Sequence, residues 1–328
     1  MSASGQDKIY ALITERMIAQ LKKDIIPWRK PWGAGPGQEW PRNIRSKKNY
    51  RGINVFLLTT TPYRSPWWGT YDQLAEVSGM EKVSDRSRRG YHWESPDGTP
   101  RGVRPGETSE TIIFWKRFRR NEIDPSTGER TREFSAVLRY YRVFNTEQVD
   151  GLPAQYDPPE LPETDESAVL ASAQQVLDDY LARDNAPGFS EDGGNRAYYG
   201  LERDDNIHLP ARAAFPDPNE YYSTGFHEIT HSTGHPKRCN RPGVRDFDHF
   251  GSDKYSKEEL VAEMGAAMLM ATAGIATTAT FENSAAYIRS WLSKLQDDPK
   301  LVVGAAAQAQ HAADYILGVT YDNDDESD

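Results

Sequence analysis

Two histidines four residues apart, His227 and His231, frame the run HEITH, with Glu228 directly after the first. On an α-helix, positions i and i+4 lie on one face a turn apart, so both imidazoles can point at one ion. Glu228 can approach the same ion without ligating it. Zinc lowers the pKa of a water it binds to about 7, and a neighbouring carboxylate can then accept the proton. This is the chemistry behind H-E-x-x-H in metallopeptidases. As a bare pentapeptide the pattern is only moderately specific, and its alternative is two exposed histidines on a surface helix. The context favours the metal site: the preceding YYSTGF is apolar enough to bury the helix, and Gly234 and Pro236 end it just after the motif.

Two histidines need a third protein ligand. Position 237, where a metzincin carries a histidine, is Lys237, which excludes that class. The remaining source is a carboxylate from a later helix, and SKEELVAEMGAAML offers Glu258, Glu259 and Glu263. Glu263 follows Val261 and Ala262 and has small residues around it, so it is the acid expected to point inward. Glu258 and Glu259 are read as first-turn acids that complement the helix dipole. The expected ligand set is therefore His227, His231 and Glu263, with Glu228 in the catalytic position. Zinc is the default ion, and a His/His/Glu set also accepts manganese. His235 is read as packing or capping, Tyr221 and Tyr222 as core aromatics, and Cys239 as a small residue without nucleophilic partners.

The elements that must position these groups follow from pattern. Ile9, Leu12, Ile13, Met17 and Leu21 fall at helical spacing, and that helix stops before Pro27. Residues 52–60 form an apolar element that periodicity cannot assign to helix or strand. A short helix is expected over 68–79, and loop over 84–110. Thr111–Phe118 and Phe134–Phe144 alternate around the turn-forming DPSTGE and predict an antiparallel hairpin. Proline and acid then dominate the linker. Helices are expected at 167–183 (with Ser167 as its cap), 219–234, 255–273, 283–296 and 299–318, with a strand at 206–210. The acidic tail DNDDESD is expected to be disordered.

The chain has 328 residues and a net charge of −10. That charge is unevenly spread. Residues 1–150 hold 26 Lys+Arg against 18 Asp+Glu, and residues 151–328 hold 13 against 31. Seven of the eight tryptophans precede residue 116. A basic, aromatic half joined to an acidic one suggests two domains with different partners. The boundaries expected are 1–150, a linker over 151–166, a metal-binding domain over 167–320 and a tail over 321–328. The fold class is α+β: a small mixed α/β domain, then a mainly helical one. No apolar run approaches the roughly 18 residues of a membrane span. The single cysteine, Cys239, precludes an intrachain disulfide and multi-cysteine zinc patterns, and a cytoplasmic location is expected.

Single-stranded nucleic acid is held by cations on its phosphates and aromatic faces on its bases. Trp28, Arg29, Lys30, Trp32, Arg42, Lys47, Lys48, Tyr50 and Arg51 supply both and form the candidate DNA surface. Packing remains an alternative for Trp28 and Trp32, and for Trp115, on a strand, packing is the expectation.

Several long motifs in one order resemble the ArdC-type antirestriction proteins of plasmids and phages, whose amino-terminal domain is related to that of TraC-type plasmid primases. In the first half these are IIPWRKPW (25–32), NYRGINVFLL (49–58), WGTYDQL (68–74), TIIFWKRF (111–118) and YYRVFNTEQVDGL (140–152). In the second they are NEYYSTGFHEITHSTGH (219–235), KEELVAEMGAAML (257–269) and DDPKLVVGAAAQAQHAADYIL (297–317). The resemblance implies a single-strand DNA-binding domain followed by a zincin-like domain, and a role in protecting incoming plasmid or phage DNA. It also supports the histidine and Glu263 ligands and Glu228. The chain departs from the family in longer loops at 84–108 and 119–133 and in Ser232, where a bulkier aromatic is expected. Alternative readings are a metallopeptidase that cleaves a host defence protein and a phage structural protein injected with the DNA. Single-stranded DNA is the expected partner, double-stranded DNA an alternative one.

Overall fold

The computed structural model describes residues 5–28, 40–85, 90–123, 130–160, 165–201, 204–241, 253–275 and 285–320. Arg29, Lys30 and Trp32 of the candidate DNA surface, and the acidic tail from 321, lie outside the described residues.

The chain begins with α1 (Gly5–Leu21), which buries Ile13, Met17 and Leu21 along one stripe. The strand β1 (Arg42–Asn43) leads to α2 (Ile53–Thr59), so the apolar run that pattern could not assign is a helix. It is buried nearly all round, which erases the polar half of the helical period. After β2 (Trp67–Gly69), α3 (Tyr71–Val77) starts from a capping box. Gln73 N–H donates to Thr70 Oγ1, and Thr70 N–H donates to Gln73 Oε1.

The stretch expected as loop holds a second hairpin, β3 (Glu81–Asp85) with β4 (Gly90–Glu94), and the short β5 (Gly102–Val103). The β3–β4 hairpin is exposed and lacks apolar alternation. Cross-strand contacts hold it, among them Lys82 Nζ 3.4 Å from the centre of the Tyr91 ring. The hairpin expected from the sequence is present and longer: β6 (Glu110–Ile123) pairs antiparallel with β7 (Arg130–Asn145), Ile113 opposite Tyr140. These strands complete a four-stranded sheet of order β1-β2-β7-β6, and β8 (Val149–Asp150) pairs with β5.

The second half opens with α4 (Glu166–Leu181). Its cap is Asp165 rather than Ser167: the Asp165 carboxylate accepts from the N–H groups of Ser167 and Ala168. Three short strands, β9 (Gly188–Ser190), β10 (Tyr198–Gly200) and β11 (Asn206–His208), form a sheet of order β10-β11-β9. The helices α5 (Pro218–Ser232), α6 (Asp253–Ala273), α7 (Ala285–Asp297) and α8 (Leu301–Leu317) complete the fold. The α+β class expected from the sequence holds.

One apolar core runs through both halves. Ile13, Met17, Leu21 and Trp28 pack in the same cluster as Leu260, Met264, Trp291 and Val302. Polar contacts reinforce the seam. Arg51 pairs with Asp314 on α8, Gly52 N–H donates to Gln310 Oε1 at 3.0 Å, and Thr14 donates to the Pro299 carbonyl at 2.7 Å. Among the described residues no helix is long and apolar enough to cross a membrane.

Candidate metal centre

Helix α5 carries HEITH. Pro218 stands at its first turn, where a missing N–H costs nothing, and the Asp217 carboxylate caps it by accepting from Asn219 N–H. Tyr221, Tyr222, Phe226 and Ile229 fix its buried face. On that face Glu228 is also buried, at 7% exposure, while His227 and His231 turn towards α6.

The two helices cross closely because Gly265 has no side chain. A Cβ there would sit 2.5 Å from the Thr230 methyl group, nearer than atoms tolerate. Thr230 directly precedes His231, so this crossing sets which carboxylate of α6 meets the histidines.

That carboxylate is Glu259. The Nε2 atoms of His227 and His231 are 3.1 Å apart. A Glu259 oxygen lies 3.6 Å from His227 Nε2, and its other oxygen 3.4 Å from His231 Nε2. Tetrahedral zinc with bonds of about 2.05 Å would hold its ligand atoms about 3.3 Å apart. The separations fit one shared divalent cation. Among the described residues, His227, His231 and Glu259 are the group of donors that converges in this way.

Glu263, expected as the third ligand, is not in that group. It lies one turn, about 6 Å, further along α6. There its Oε2 accepts from the Trp28 indole N–H at 2.8 Å and from the Tyr287 hydroxyl. The helix begins at Asp253, so Glu258 and Glu259 lie beyond its first turn and the dipole explanation for them fails.

The electrostatics are those of a cation site. Burial presses His231 towards its neutral form, but the carboxylates of Glu258 and Glu259 outweigh it and push the pKa up to about 10, with a smaller contribution from Glu228. Burial likewise opposes the charge on Glu259, and His227 and His231 hold its carboxyl well below the usual range nonetheless. A divalent cation would take the place of the proton that His231 attracts.

The other singled-out residues are structural neighbours. His235 Nδ1 accepts from Lys237 N–H at 3.1 Å, and its Nε2 lies 3.8 Å from Asp205. Tyr221 donates to Glu191 and Tyr222 to Gln174. Burial raises the Cys239 thiol above its ordinary value, away from a reactive thiolate.

Six residues of the candidate DNA surface are described. Trp28 is fully buried and packs edge-on against Trp291 with ring centres 5.7 Å apart, so neither ring face is available to a base. The Arg42 guanidinium and the Lys47 ammonium lie over the Trp67 ring at 5.2 and 4.8 Å. Tyr50 is drawn in with Asn43, and burial pushes its hydroxyl up to about 12. Arg51 pairs with Asp314. Lys48 remains at the surface. Trp115, expected in the core, is 42% exposed on β6, diagonal to the exposed Tyr140 of β7.

Two histidines from one helix and a carboxylate from the next, with a glutamate inside the motif, define a zincin-like metal-binding domain. The comparisons agree. A family model described as a zincin-like metallopeptidase matches residues 178–308, and one described as the N-terminal domain of anti-restriction factor ArdC matches residues 7–144. The chain is 34% identical to the antirestriction protein ArdC from the R388 plasmid in its metal-free crystal structure, with a TM-score of 0.66 and coverage of 94% of this chain and 97% of that one. For the Mn(II)-bound structure of the same protein the identity is 32% and the TM-score 0.65, over the same shares. An uncharacterized protein of Sinorhizobium fredii, y4eC, is 32% identical over 94% of this chain and 91% of its own length. A DNA primase TraC of Escherichia coli is 35% identical over 93% of this chain, which spans only 26% of that relative's length. The chain belongs to the ArdC family of antirestriction proteins.

Proposed function

We propose that this chain protects incoming plasmid or phage DNA from host restriction by binding DNA, and that its zincin-like domain holds a divalent cation through His227, His231 and Glu259. The convergence of those three side chains carries the metal assignment. The Mn(II)-bound structure of the R388 relative supports the choice of a divalent ion. A divalent cation at this position would supply Lewis acidity and lower the pKa of water. Glu228 stands next to a ligand and is buried, where it can take and return a proton.

That position supports a second reading, a metallopeptidase acting on a host protein, because a purely structural metal site has no use for Glu228. The two readings separate in cells that restrict incoming DNA. Glu228→Gln should leave the bound metal unchanged in either case. Under the DNA-binding reading protection persists within about twofold, whereas a peptidase would lose it by the roughly 10²–10⁴-fold that general-base catalysis supplies.

Single-stranded DNA is the proposed partner of the basic half, and kinship with chains named DNA primase favours a nucleic acid there. The β6–β7 hairpin offers the means: Trp115 and Tyr140 expose ring surface on one face, with the exposed Arg142 on that same face. Trp115→Ala or Tyr140→Ala should weaken binding of a labelled single-stranded oligonucleotide by ~1–3 kcal/mol each in fluorescence anisotropy. Wild-type affinity should fall steeply with salt as phosphate contacts release counterions. Unchanged affinity in both variants would remove the hairpin from the interface, and no binding at low salt would remove DNA as a partner.

A further inference from the structure

Behind the candidate metal centre lies a buried ion pair that the ligand set does not require. Arg241 and Glu258 are 4% and 3% exposed. The guanidinium grips the carboxylate with two atoms: Nε donates to Oε2 at 3.1 Å, and Nη2 to Oε1 at 2.5 Å. Arg241 is itself fastened to the last turn of α5, where Nη2 donates to the Thr230 carbonyl at 2.8 Å and Nη1 to Thr233 Oγ1 at 2.5 Å. The remaining reach of Glu258 is to His231, whose Nδ1 lies 3.4 Å from Oε1.

A buried ion pair is weak grounds for stability, because desolvating both charges consumes most of the Coulombic gain. The geometry shows what else this one does. Glu258 and Glu259 are consecutive on α6, so their side chains leave the helix about 100° apart. One meets Nδ1 of the His231 ring and the other Nε2. The ring is held between them with Nε2 facing His227 and Glu259.

We infer that Glu258, locked by Arg241, is the positioning residue for His231. It accepts the Nδ1 proton, and so keeps the Nε2 lone pair aimed at the cation shared with His227 and Glu259. An imidazole free to carry its proton on Nε2 presents no lone pair to the ion, and a ring free to rotate loses entropy on binding. This inference rests on the metal site proposed above.

Co(II) is the probe, read by titration calorimetry and by its visible absorption, which reports ligand geometry. The chief variant is the double substitution Arg241→Met with Glu258→Leu. It replaces the pair with apolar groups of similar volume, an exchange that buried ion pairs often tolerate without loss of stability. Affinity for Co(II) should fall about 10–100-fold and the absorption spectrum should shift, while the thermal midpoint stays near wild type. Glu258→Gln, which keeps an oxygen acceptor for Nδ1–H, should lose less affinity than Glu258→Ala and keeps the inference testable if the double variant does not fold. Wild-type affinity and spectrum in the double variant, or equal losses in Glu258→Gln and Glu258→Ala, would overturn it. Failure of the wild-type protein to bind Co(II) would overturn the metal site itself, and this inference with it.

Discussion

Glu259→Ala should abolish tight binding of Zn(II) or Mn(II), whereas Glu263→Gln should bind either ion as the wild type does. Loss of one partner behind a metal ligand typically costs about 10–100-fold in affinity, and removal of the ligand itself should cost more. Glu259 faces both histidines within 3.6 Å, and no other carboxylate completes that group among the described residues. Glu263 serves instead as an acceptor for Trp28 and Tyr287. Glutamine keeps an acceptor oxygen there, so its substitution tests ligation without leaving the indole N–H unpaired. Calorimetric titration of both variants decides the matter. Retained affinity in Glu259→Ala with lost affinity in Glu263→Gln would reverse the assignment.

The second large effect falls on stability. Trp28→Ala should destabilise the protein by about 3–5 kcal/mol, read as a lowered urea midpoint, because it removes a fully buried indole from a packed core. The damage should extend across both halves, since Trp28 joins the segment after α1 to Trp291 of α7 and Glu263 of α6. Affinity for single-stranded DNA, measured at a temperature where the variant stays folded, should be unchanged. A Trp28→Ala protein of wild-type stability that no longer binds DNA would show the ring to be a stacking platform after all. Trp28→Phe separates the contributions. It keeps most of the apolar contact and loses only the hydrogen bond to Glu263, whose typical net worth is about 1.5–3 kcal/mol for a charged acceptor.

The third ligand shows where sequence reasoning ends: Glu263 was expected, and the structure brings Glu259 to the histidines. The HEITH helix was legible because its information is local: two histidines one turn apart, the apolar YYSTGF before them, and Gly234 and Pro236 at the end. Glu259 and Glu263 are also one turn apart, on the same stripe of α6, so no period distinguishes them. What separates them is the point at which α6 crosses α5, a tertiary fact fixed by the contact between Gly265 and Thr230. Gly265, amid the apolar and small residues of EMGAAML, was the signal available. Read as the crossing point, it favours an acid before the crossing rather than one beside it.

The candidate DNA surface was only partly legible for a related reason. Composition counts cations and rings but does not say which of them satisfy each other. Arg42 and Lys47 lie on Trp67, and Arg51 is paired across the seam with α8. Trp115 errs the other way: β-propensity placed it correctly on a strand, but alternation could not foretell that its ring would be exposed. The β3–β4 hairpin was missed because its strands, EKVSD and GYHWE, bury little and so carry no two-residue apolar period.

The most direct test of the metal centre is a zinc-edge anomalous difference map from crystals of this chain grown with Zn(II). The strongest peak is expected about 2.0–2.2 Å from Nε2 of His227, Nε2 of His231 and a carboxylate oxygen of Glu259, with Glu258 behind the ring of His231. A peak ligated by Glu263, or one that leaves either histidine unbound, would contradict the account.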